Sequence, residues 1–507
     1  MKVLLTALNR ETHPYPVQPI GIAYIAEAAR RAGHEVALLD MNLRSDPLES
    51  LERTLEDFAP EVIGLGLRNI DNCAFPRLEF YLPWAREVVA RCRELSPARL
   101  VIGGSGFAVM PKEILDYLDL EVGVLGEGEK SFLELLEAWG AGAGRLPDGV
   151  GGLALRADGS YRETPAGWLA FGEQDFLPAR DLLDLPAYLR GGSLTAVQTK
   201  RGCSLRCAYC TYPIIEGRSV RMRASAHVGR ELEDLQAKYG VEEVFFTDNV
   251  FNNPLEHALA ICREIVERGL RLCWTGFFNP AFMTEELADQ AARAGCAGIE
   301  FGTEGGSATS LRALRKGFSV KTLVRSHRIA EAAGLKICHY LIVGSPGETL
   351  DTVREGLDLI ASLEPTAVLV STGIRIYPKT AIAEVAKAEG YDTENLLIPQ
   401  FYFPASMRED PAGATEALAR EYPGFRFEGF HPRPTLKLLE ALRRRGHRGP
   451  TWRLQDLVGE LTGRRGAAAG RRSGPGPEPA FPAAQEDPPS PRSPAASSRQ
   501  VRPAPGR

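Results

Sequence analysis

Long apolar runs are missing from this chain of 507 residues. No stretch approaches the about 18 consecutive apolar residues that a transmembrane helix needs, so no membrane-spanning segment is expected. Lysine and arginine number 60 against 65 aspartates and glutamates, which gives a formal net charge of −5. Because no basic stripe is present, binding to nucleic acid is not expected. The N-terminus lacks the features of a signal peptide, and 9 cysteines without a secretory signal indicate a reducing, cytoplasmic location.

The first 145 residues lack the G-x-G-x-x-G motif of dinucleotide-binding helices, which argues against a nicotinamide site. They instead alternate short apolar runs with amphipathic segments. Strands are predicted at residues 2–8, 35–40, 62–67, 100–102 and 122–125, and helices at 21–32, 79–95 and 131–138. This alternation is typical of an α/β domain with a parallel, doubly wound sheet. The ligands of such sheets lie beyond the carboxyl ends of the strands.

The remaining residues divide into four regions by pattern and composition. Residues 146–192 predict a proline- and glycine-rich connector with a small hairpin. From 193 to 388 the alternation resumes, with strands predicted at 194–199, 243–247, 271–277, 298–302, 336–343 and 367–376. Residues 389–463 predict a smaller, mainly helical region, whose aromatic stretch 400–405 is suited to cover the preceding domain. Residues 464–507 are rich in proline, alanine, glycine, serine and arginine, so disorder is expected there.

Three cysteines stand out by their spacing, because Cys203, Cys207 and Cys210 form a CxxxCxxC pattern. Three soft sulfur ligands in one loop suit an iron–sulfur cluster, and a 4Fe–4S cube held by three leaves one iron open for another ligand. The alternatives are a zinc knuckle and three unrelated buried thiols. Zinc favours a fourth ligand close by, and the next Cys or His after the motif is His227. The other six cysteines are not closely spaced, which is typical of buried structural thiols.

The cysteine motif resembles the signature of the radical S-adenosylmethionine (SAM) superfamily, CxxxCxΦC, in which the aromatic position is Tyr209 here. The resemblance implies a partial (β/α)6 barrel over 193–388, with the cysteines on a 4Fe–4S cluster and Tyr209 against the SAM adenine. It also implies that an external electron donor of the flavodoxin or ferredoxin type feeds the cluster, which cleaves SAM to a 5′-deoxyadenosyl radical. Three residues at predicted strand ends, Asp248, Glu300 and Arg375, are expected to contact SAM. Helix capping and exposed strand-end charges are the other interpretations of the two acids.

Placed before such a core, the N-terminal domain resembles the cobalamin-binding domain of the B12-dependent radical SAM family. The matching features are a proline-rich loop at 14–19, Gly103 and Gly104 after the fourth predicted strand, and Gly126 and Glu127 after the fifth. Paired glycines let the backbone approach a large planar ligand closely. The resemblance therefore implies that these residues bind cobalamin.

The D-x-H-x-x-G signature that supplies a lower cobalt ligand in many B12 proteins is absent. His13 lies in the corresponding loop, but an ordinary solvated histidine is the favoured interpretation. The loop after the third predicted strand contains Arg68 and Asn69. A guanidinium cannot coordinate cobalt, so Arg68 below the ring would favour four-coordinate Co(I). The alternative is a surface arginine without a role.

Together these resemblances imply a cobalamin-dependent radical SAM C-methyltransferase that acts on an unactivated carbon of a small molecule or natural-product intermediate. In the family's general scheme one SAM gives methylcobalamin, a second SAM gives the radical, and the substrate radical takes the methyl group. Three alternatives stay open: cyclisation or rearrangement, polar methyl transfer without an adenosyl radical, and a B12-binding sensor. A methylthiotransferase is disfavoured, because the N-terminal domain lacks three further cluster cysteines. No catalytic side chain is assigned.

Overall fold

The computed structural model contains two seven-stranded sheets. It describes residues 1–12, 15–142, 144, 149–157, 159–168, 176–430, 441, 442, 444, 445, 447 and 449–453. His13 and the predicted disordered tail lie outside these residues. Within them, none of the helices combines the length and the hydropathy that crossing a membrane requires.

The first sheet confirms the predicted doubly wound domain. Its parallel strands are β1 (Lys2–Ala7), β2 (Glu35–Asp40), β3 (Val62–Gly66), β4 (Arg99–Gly103) and β5 (Val122–Val124), in the order β2-β1-β3-β4-β5. The helices are α1 (Ile20–Arg31), α2 (Pro47–Phe58), α3 (Leu82–Leu95), α4 (Ser105–Val109), α5 (Pro111–Leu118) and α6 (Gly128–Gly140). The pattern analysis did not predict α2, α4 or α5. Helix α2 nevertheless carries start signals, because the side chain of Asp46 caps it and Pro47 opens it.

The hairpin predicted for the connector is part of the first sheet. Strands β6 (Leu153–Ala157) and β7 (Ser160–Glu163) form it, and β6 pairs antiparallel with β5. The remainder of the connector contains α7 (Leu185–Arg190) and leads to the second sheet.

The second sheet contains the six predicted strands and a seventh. After β8 (Thr195–Val197), an antiparallel pair of β9 (Lys200–Arg201) and β10 (Arg221–Met222) frames the cysteine loop. The sheet continues with β11 (Glu243–Phe246), β12 (Cys273–Phe278), β13 (Ile299–Glu304), β14 (Ile337–Val343) and β15 (Ala367–Thr372). Helices α8 (Tyr212–Ile215), α9 (Ser225–Tyr239), α10 (Leu255–Glu267), α11 (Glu285–Arg293), α12 (Ala308–Ala313), α13 (Val320–Ala332) and α14 (Leu350–Ser362) lie between them.

The sixth predicted strand is shorter than expected, because Gly373 breaks it with φ of +72°. Beyond this residue β16 (Ile374–Arg375) turns away, α15 (Ala381–Ala388) follows, and β17 (Phe401–Tyr402) returns to pair with β16. The described part of the C-terminal region contains helix α16 (Pro411–Glu421) and also β18 (Arg426–Phe427), which adds a parallel strand beside β15. The sequence pattern had not predicted β17 or β18. The second sheet is open, with β8 and β18 at its edges.

The carboxyl ends of the two sheets face each other. Asp71, beyond β3, forms an ion pair with Arg375 at 3.0 Å, and Glu129, beyond β5, forms one with Arg201 at 2.6 Å. One hydrophobic core contains buried residues of both domains. Because α/β sheets bind ligands beyond their carboxyl ends, ligands of the two domains would share the space between them.

Candidate functional site

The three cysteines lie in one loop between β9 and α8. Gly202 begins the loop with φ of +88°, and a Cβ there would collide with the backbone of Ser219, so the turn requires glycine. Two backbone hydrogen bonds hold the loop. The N–H of Cys203 donates to the carbonyl of Gly217 (3.1 Å), and the N–H of Ala208 donates to the carbonyl of Leu314 (2.9 Å). The thiols are therefore presented by a fixed segment.

These thiols are near enough to one another to interact electrostatically. Burial raises the pKa of Cys203 and raises that of Cys210 to about 12, and the neighbouring Cys207 adds to both rises. Among the described residues, no three His, Cys, Asp or Glu side chains converge as one metal ion would require. A 4Fe–4S cube does not require that convergence, because each cysteine binds a different iron.

Asp248 lies buried under the start of the cysteine loop. Its carboxylate accepts hydrogen bonds from the N–H and hydroxyl of Thr199 (2.8 and 2.5 Å) and from the ammonium of Lys200 (2.9 Å). These contacts show that Asp248 holds the loop, and its contact with SAM stays a prediction. The next residue is different: Asn249 donates to Glu216 (3.0 Å), but its amide oxygen is buried without a hydrogen-bond partner among the described residues.

Tyr209, the aromatic residue of the motif, is fixed by a pair of opposite charges. The ammonium of Lys316 donates to the tyrosine hydroxyl at 3.2 Å and lies 3.8 Å from the carboxylate of Glu304. Burial raises the pKa of Tyr209, and the negative charge of Glu304 raises it further. The tyrosine is thus held as a neutral phenol. The sequence analysis had assigned no role to either charged residue.

Glu300 lies deeper in the sheet than Glu304. It stands four residues earlier on the same strand, about 13 Å along it at ~3.3 Å per residue. Its carboxyl group accepts hydrogen bonds from Tyr340 (2.8 Å) and Thr275 (3.1 Å), and burial raises its pKa. At this strand end the structure therefore brings Glu304 to Tyr209 and leaves Glu300 in the interior, and the predicted SAM contact of Glu300 stays untested.

Arg375 joins the two domains. Its guanidinium donates to Asp71 (3.0 Å) and to the carbonyls of Ile376 (2.5 Å) and Leu396 (2.9 Å), and its side chain is 3% exposed. The guanidinium is thus buried, and each of its nitrogens already donates to a protein oxygen. Arg375 therefore has a structural role at the contact between the two domains. The predicted contact with the SAM carboxylate stays a prediction, whereas the observed contact fixes the loop that follows β3.

Arg68 and Asn69 lie on that same loop, at the first sheet's carboxyl edge. The Arg68 side chain is exposed, and its carbonyl accepts a hydrogen bond from the hydroxyl of Ser105 (2.7 Å). Burial raises the pKa of Tyr212, and the charge of Arg68 opposes this rise. Since Tyr212 begins the helix that follows Cys210, Arg68 lies near the cysteine loop. Asn69 is half-buried beside it.

The glycine-rich turns of the first domain have distinct surroundings. Gly104, with φ of +103°, packs so closely on the backbone of Leu67 that a Cβ would collide, whereas a Cβ on Gly103 would meet only ordinary contacts. Gly126, with φ of +66°, lies against the indole of Trp168. Its neighbour Glu127 is buried and accepts from Arg221 of β10 at 2.5 Å.

Comparison with known proteins agrees with this geometry. A family model described as the B12 binding domain matches residues 7–136, and one described as the radical SAM superfamily matches residues 197–360. The tryptophan 2-C-methyltransferase of Streptomyces laurentii is 27% identical over 74% of this chain and 72% of its own length. The cytidylyl-2-hydroxyethylphosphonate methyltransferase of Streptomyces wedmorensis is 25% identical over 70% of this chain and 76% of its own. The structure of the radical SAM methyltransferase TsrM from Kitasatospora setae, with cobalamin and a [4Fe–4S] cluster bound, superposes with a TM-score of 0.78 at 26% identity, covering 91% of this chain and 98% of that one.

The chain belongs to the cobalamin-dependent radical SAM enzymes, because it contains both a B12 binding domain and a radical SAM domain. Its cofactors are a 4Fe–4S cluster, SAM and cobalamin. The cysteine loop fits the cluster by ligand type and by the mutual proximity of its thiols. The orphaned amide oxygen of Asn249 fits SAM, because a buried acceptor without a partner at this strand end can take a hydrogen bond from the SAM amino group.

Cobalamin also fits the residues at the carboxyl edge of the first sheet. The amide nitrogen of Asn9, after β1, and the amide oxygen of Asn42, after β2, are buried without hydrogen-bond partners among the described residues. So are two guanidinium nitrogens of Arg221, beside the turn at Gly126. Buried polar groups are normally paired, and cobalamin carries amides around its ring and a phosphate in its nucleotide arm. The sequence analysis missed these residues, although Asn9 and Asn42 are polar side chains directly after predicted strands.

Proposed function

We propose that this methyltransferase methylates a carbon atom of a small molecule, in the space between the two carboxyl edges. The supporting observation is the contact of helix α8, which follows the cluster cysteines, with helix α4 of the first domain. Ile215 of α8 packs on the hydrophobic core that the two domains share. Groups bound by Cys203, Cys207 and Cys210 and groups bound at the edge of the first sheet would therefore face one cavity.

In this proposal the residues of the chain bind and orient, and the cofactors supply the chemistry. When bound, the cluster supplies an electron to SAM, and cobalamin carries the methyl group. Tyr209, held by its two charged neighbours, offers a fixed aromatic surface for the adenine. Asn249 would accept a hydrogen bond from the SAM amino group, and Arg68 would face bound cobalamin with a guanidinium that stays protonated and cannot coordinate a metal.

We assign the exclusion of water from this cavity to the aromatic side chains of residues 400–405, which follow α15. Phe75, in the loop after β3, packs against Phe401 and Phe403 with ring centroids 5.9 and 5.0 Å apart. The hydroxyl of Tyr377 lies 3.2 Å from the sulfur of Cys73 in the same loop. Exclusion of water and oxygen protects both a reduced cluster and a radical from side reactions.

Tryptophan is the first substrate to test. The relative from Streptomyces laurentii is a tryptophan 2-C-methyltransferase, and TsrM has been solved with tryptophan and a SAM analogue bound, at 25% identity and a TM-score of 0.78. We propose a small molecule with a carbon acceptor as the substrate class and an external one-electron donor of the flavodoxin or ferredoxin type.

The experiment is anaerobic reconstitution with iron, sulfide and cobalamin, followed by incubation with SAM, a reductant and tryptophan. We expect S-adenosylhomocysteine, 5′-deoxyadenosine and a methylated product. S-adenosylhomocysteine with methylated product but no 5′-deoxyadenosine would assign the polar route. 5′-Deoxyadenosine alone would contradict methyl transfer and favour rearrangement. The matched control is the Cys203, Cys207 and Cys210 triple alanine variant, which should form none of the three.

A further inference from the structure

Lys316 is a buried cation beside the cysteine loop, and holding Tyr209 does not by itself require its charge. Its side chain is 4% exposed, which is unusual for lysine unless the charge is compensated. Its ammonium donates to the hydroxyl of Tyr209 at 3.2 Å and lies 5.6 Å from the centre of that ring. Since Tyr209 directly precedes Cys210, the charge is close to the cluster ligands.

The charge of Lys316 is only partly neutralised. Its nearest carboxylate is that of Glu304, at 3.8 Å, which is too long for a hydrogen bond. The ammonium and the carboxylate therefore remain two separate charges beside Tyr209, the residue that directly precedes Cys210. A buried cation close to the cysteine loop favours the more negative state of a group bound there.

The position of this lysine is fixed by the backbone. The carbonyl of Leu314 accepts from Ala208 within the cysteine loop (2.9 Å), and the N–H of Lys316 donates to the carbonyl of Leu311 (3.0 Å). The strand end on the other side is fixed as well, because Glu304 lies at a register shift in β13 and has φ of +62°. The two charges therefore keep their distances from the loop.

We propose that Lys316 raises the reduction potential of the cluster held by Cys203, Cys207 and Cys210, and that Glu304 opposes it. The inference rests on the proposed assignment of the cluster to these cysteines. One-electron reduction adds one negative charge to the cluster, and a nearby buried cation stabilises the reduced form more than the oxidised form. The two residues are positioning residues for charge and for Tyr209, and neither exchanges a proton or an electron in this role.

The test is a redox titration of the anaerobically reconstituted full chain, without SAM, using dithionite and mediator dyes. The signal is the paramagnetic resonance of the reduced cluster. At the wild-type midpoint, Lys316→Met should lower the ratio of reduced to oxidised cluster about tenfold, the order expected for one charge in a partly buried site. Lys316→Arg keeps the charge and should stay within about twofold of wild type. Glu304→Gln should raise the ratio.

Two further variants separate charge from packing. Tyr209→Phe removes the hydroxyl and keeps the cation, so it should leave the ratio within about twofold of wild type, whereas a role through the tyrosine would reproduce the effect of Lys316→Met. Shifts of the same sign for Lys316→Met and Glu304→Gln would overturn the proposal, as would an unchanged midpoint in Lys316→Met. If Lys316→Met does not take up iron, Glu304→Gln alone decides the test. An unchanged or lowered ratio in that variant then rejects the proposal.

Iron content distinguishes this inference from the site assignment on which it rests. Wild-type protein that binds no cluster, or a triple alanine variant that still binds one, contradicts the assignment to the three cysteines. A cluster of normal iron content whose midpoint potential is the same in wild type, Lys316→Met and Glu304→Gln contradicts only the role of these two residues.

Discussion

The ion pair of Asp71 and Arg375 should be the strongest single connection between the cobalamin domain and the radical SAM domain. Its side chains are 0% and 3% exposed, and its partners stand 304 residues apart in the chain. Removing one member of a buried pair leaves the other charge uncompensated, which costs about 3–5 kcal/mol. We expect Arg375→Met to destabilise more than Asp71→Asn. The arginine also donates to two carbonyls, of Ile376 and Leu396, which would lose their donor.

The assay is urea unfolding of both single variants and of the double variant, followed by circular dichroism. The double variant should be less unstable than the sum of the singles, with a coupling of about 2–3 kcal/mol, because the second substitution removes the charge that the first left alone. The matched control is the exposed pair of Arg420 and Glu416, with side chains 76% and 56% exposed. There Glu416→Gln should cost less than about 0.5 kcal/mol.

The same variants should also weaken cobalamin binding, because Asp71 belongs to the loop that carries Arg68. Absorbance titration with hydroxocobalamin should show at least a tenfold loss of affinity in Arg375→Met and none in Glu416→Gln. The reasoning is refuted if Arg375→Met costs less than about 1 kcal/mol, or if the effects of the two single variants simply add.

Three further predictions follow from single residues. Cys207→Ala should abolish the brown charge-transfer absorbance after reconstitution. Cys262→Ala, which changes a buried thiol of α10, should keep that absorbance and lower only the stability. Absorbance and bound iron measure the cluster content of both variants. Burial raises the pKa of Glu348 from 4.5 to about 7 although two backbone N–H groups oppose the rise, so the folded state holds its proton longer and stability should fall as pH rises from 4.5 to 7. Unfolding at pH 5 and 8 should show this loss in wild type and not in Glu348→Gln. Arg68→His introduces a possible lower ligand, so the bound cobalamin spectrum should shift towards the ligated form, while Arg68→Lys should leave it unchanged.

Strand ends were the part of the site that the sequence could reveal. The alternating pattern predicted most of the strands of both sheets, and with them the turn at Gly126 beyond β5 and the loop of Cys203 beyond β9. The ligands that these positions bind stay predictions. The pattern could not show which of Glu300 and Glu304 lies beside Tyr209. Both residues stand on one strand, and the answer depends on where that strand ends. The register shift at Glu304 is a property of the sheet pairing and has no signature in a single strand.

Contacts between the domains were the part that the sequence could not reveal. Glu127 was expected to bind cobalamin, and that role stays a prediction, yet its observed partner is Arg221, 94 residues further along. Arg375 was expected at SAM and is found on Asp71. In each case an ionisable side chain at a strand end has two physically reasonable partners, a ligand or the opposite domain. Local periodicity carries no information about which partner lies opposite, because that depends on how the two sheets dock.

The docking of the sheets has a consequence for how the reaction is organised. Glu127 and Glu129 bind Arg221 and Arg201 at one end of the contact, and Asp71 binds Arg375 at the other. Swinging the domains apart would break these ion pairs and would also expose the hydrophobic core that the two domains share, which favours the closed arrangement. A fixed arrangement of the two domains is therefore expected. Under the proposed function, SAM and the substrate would then reach cobalamin in the same cavity, one after the other or side by side.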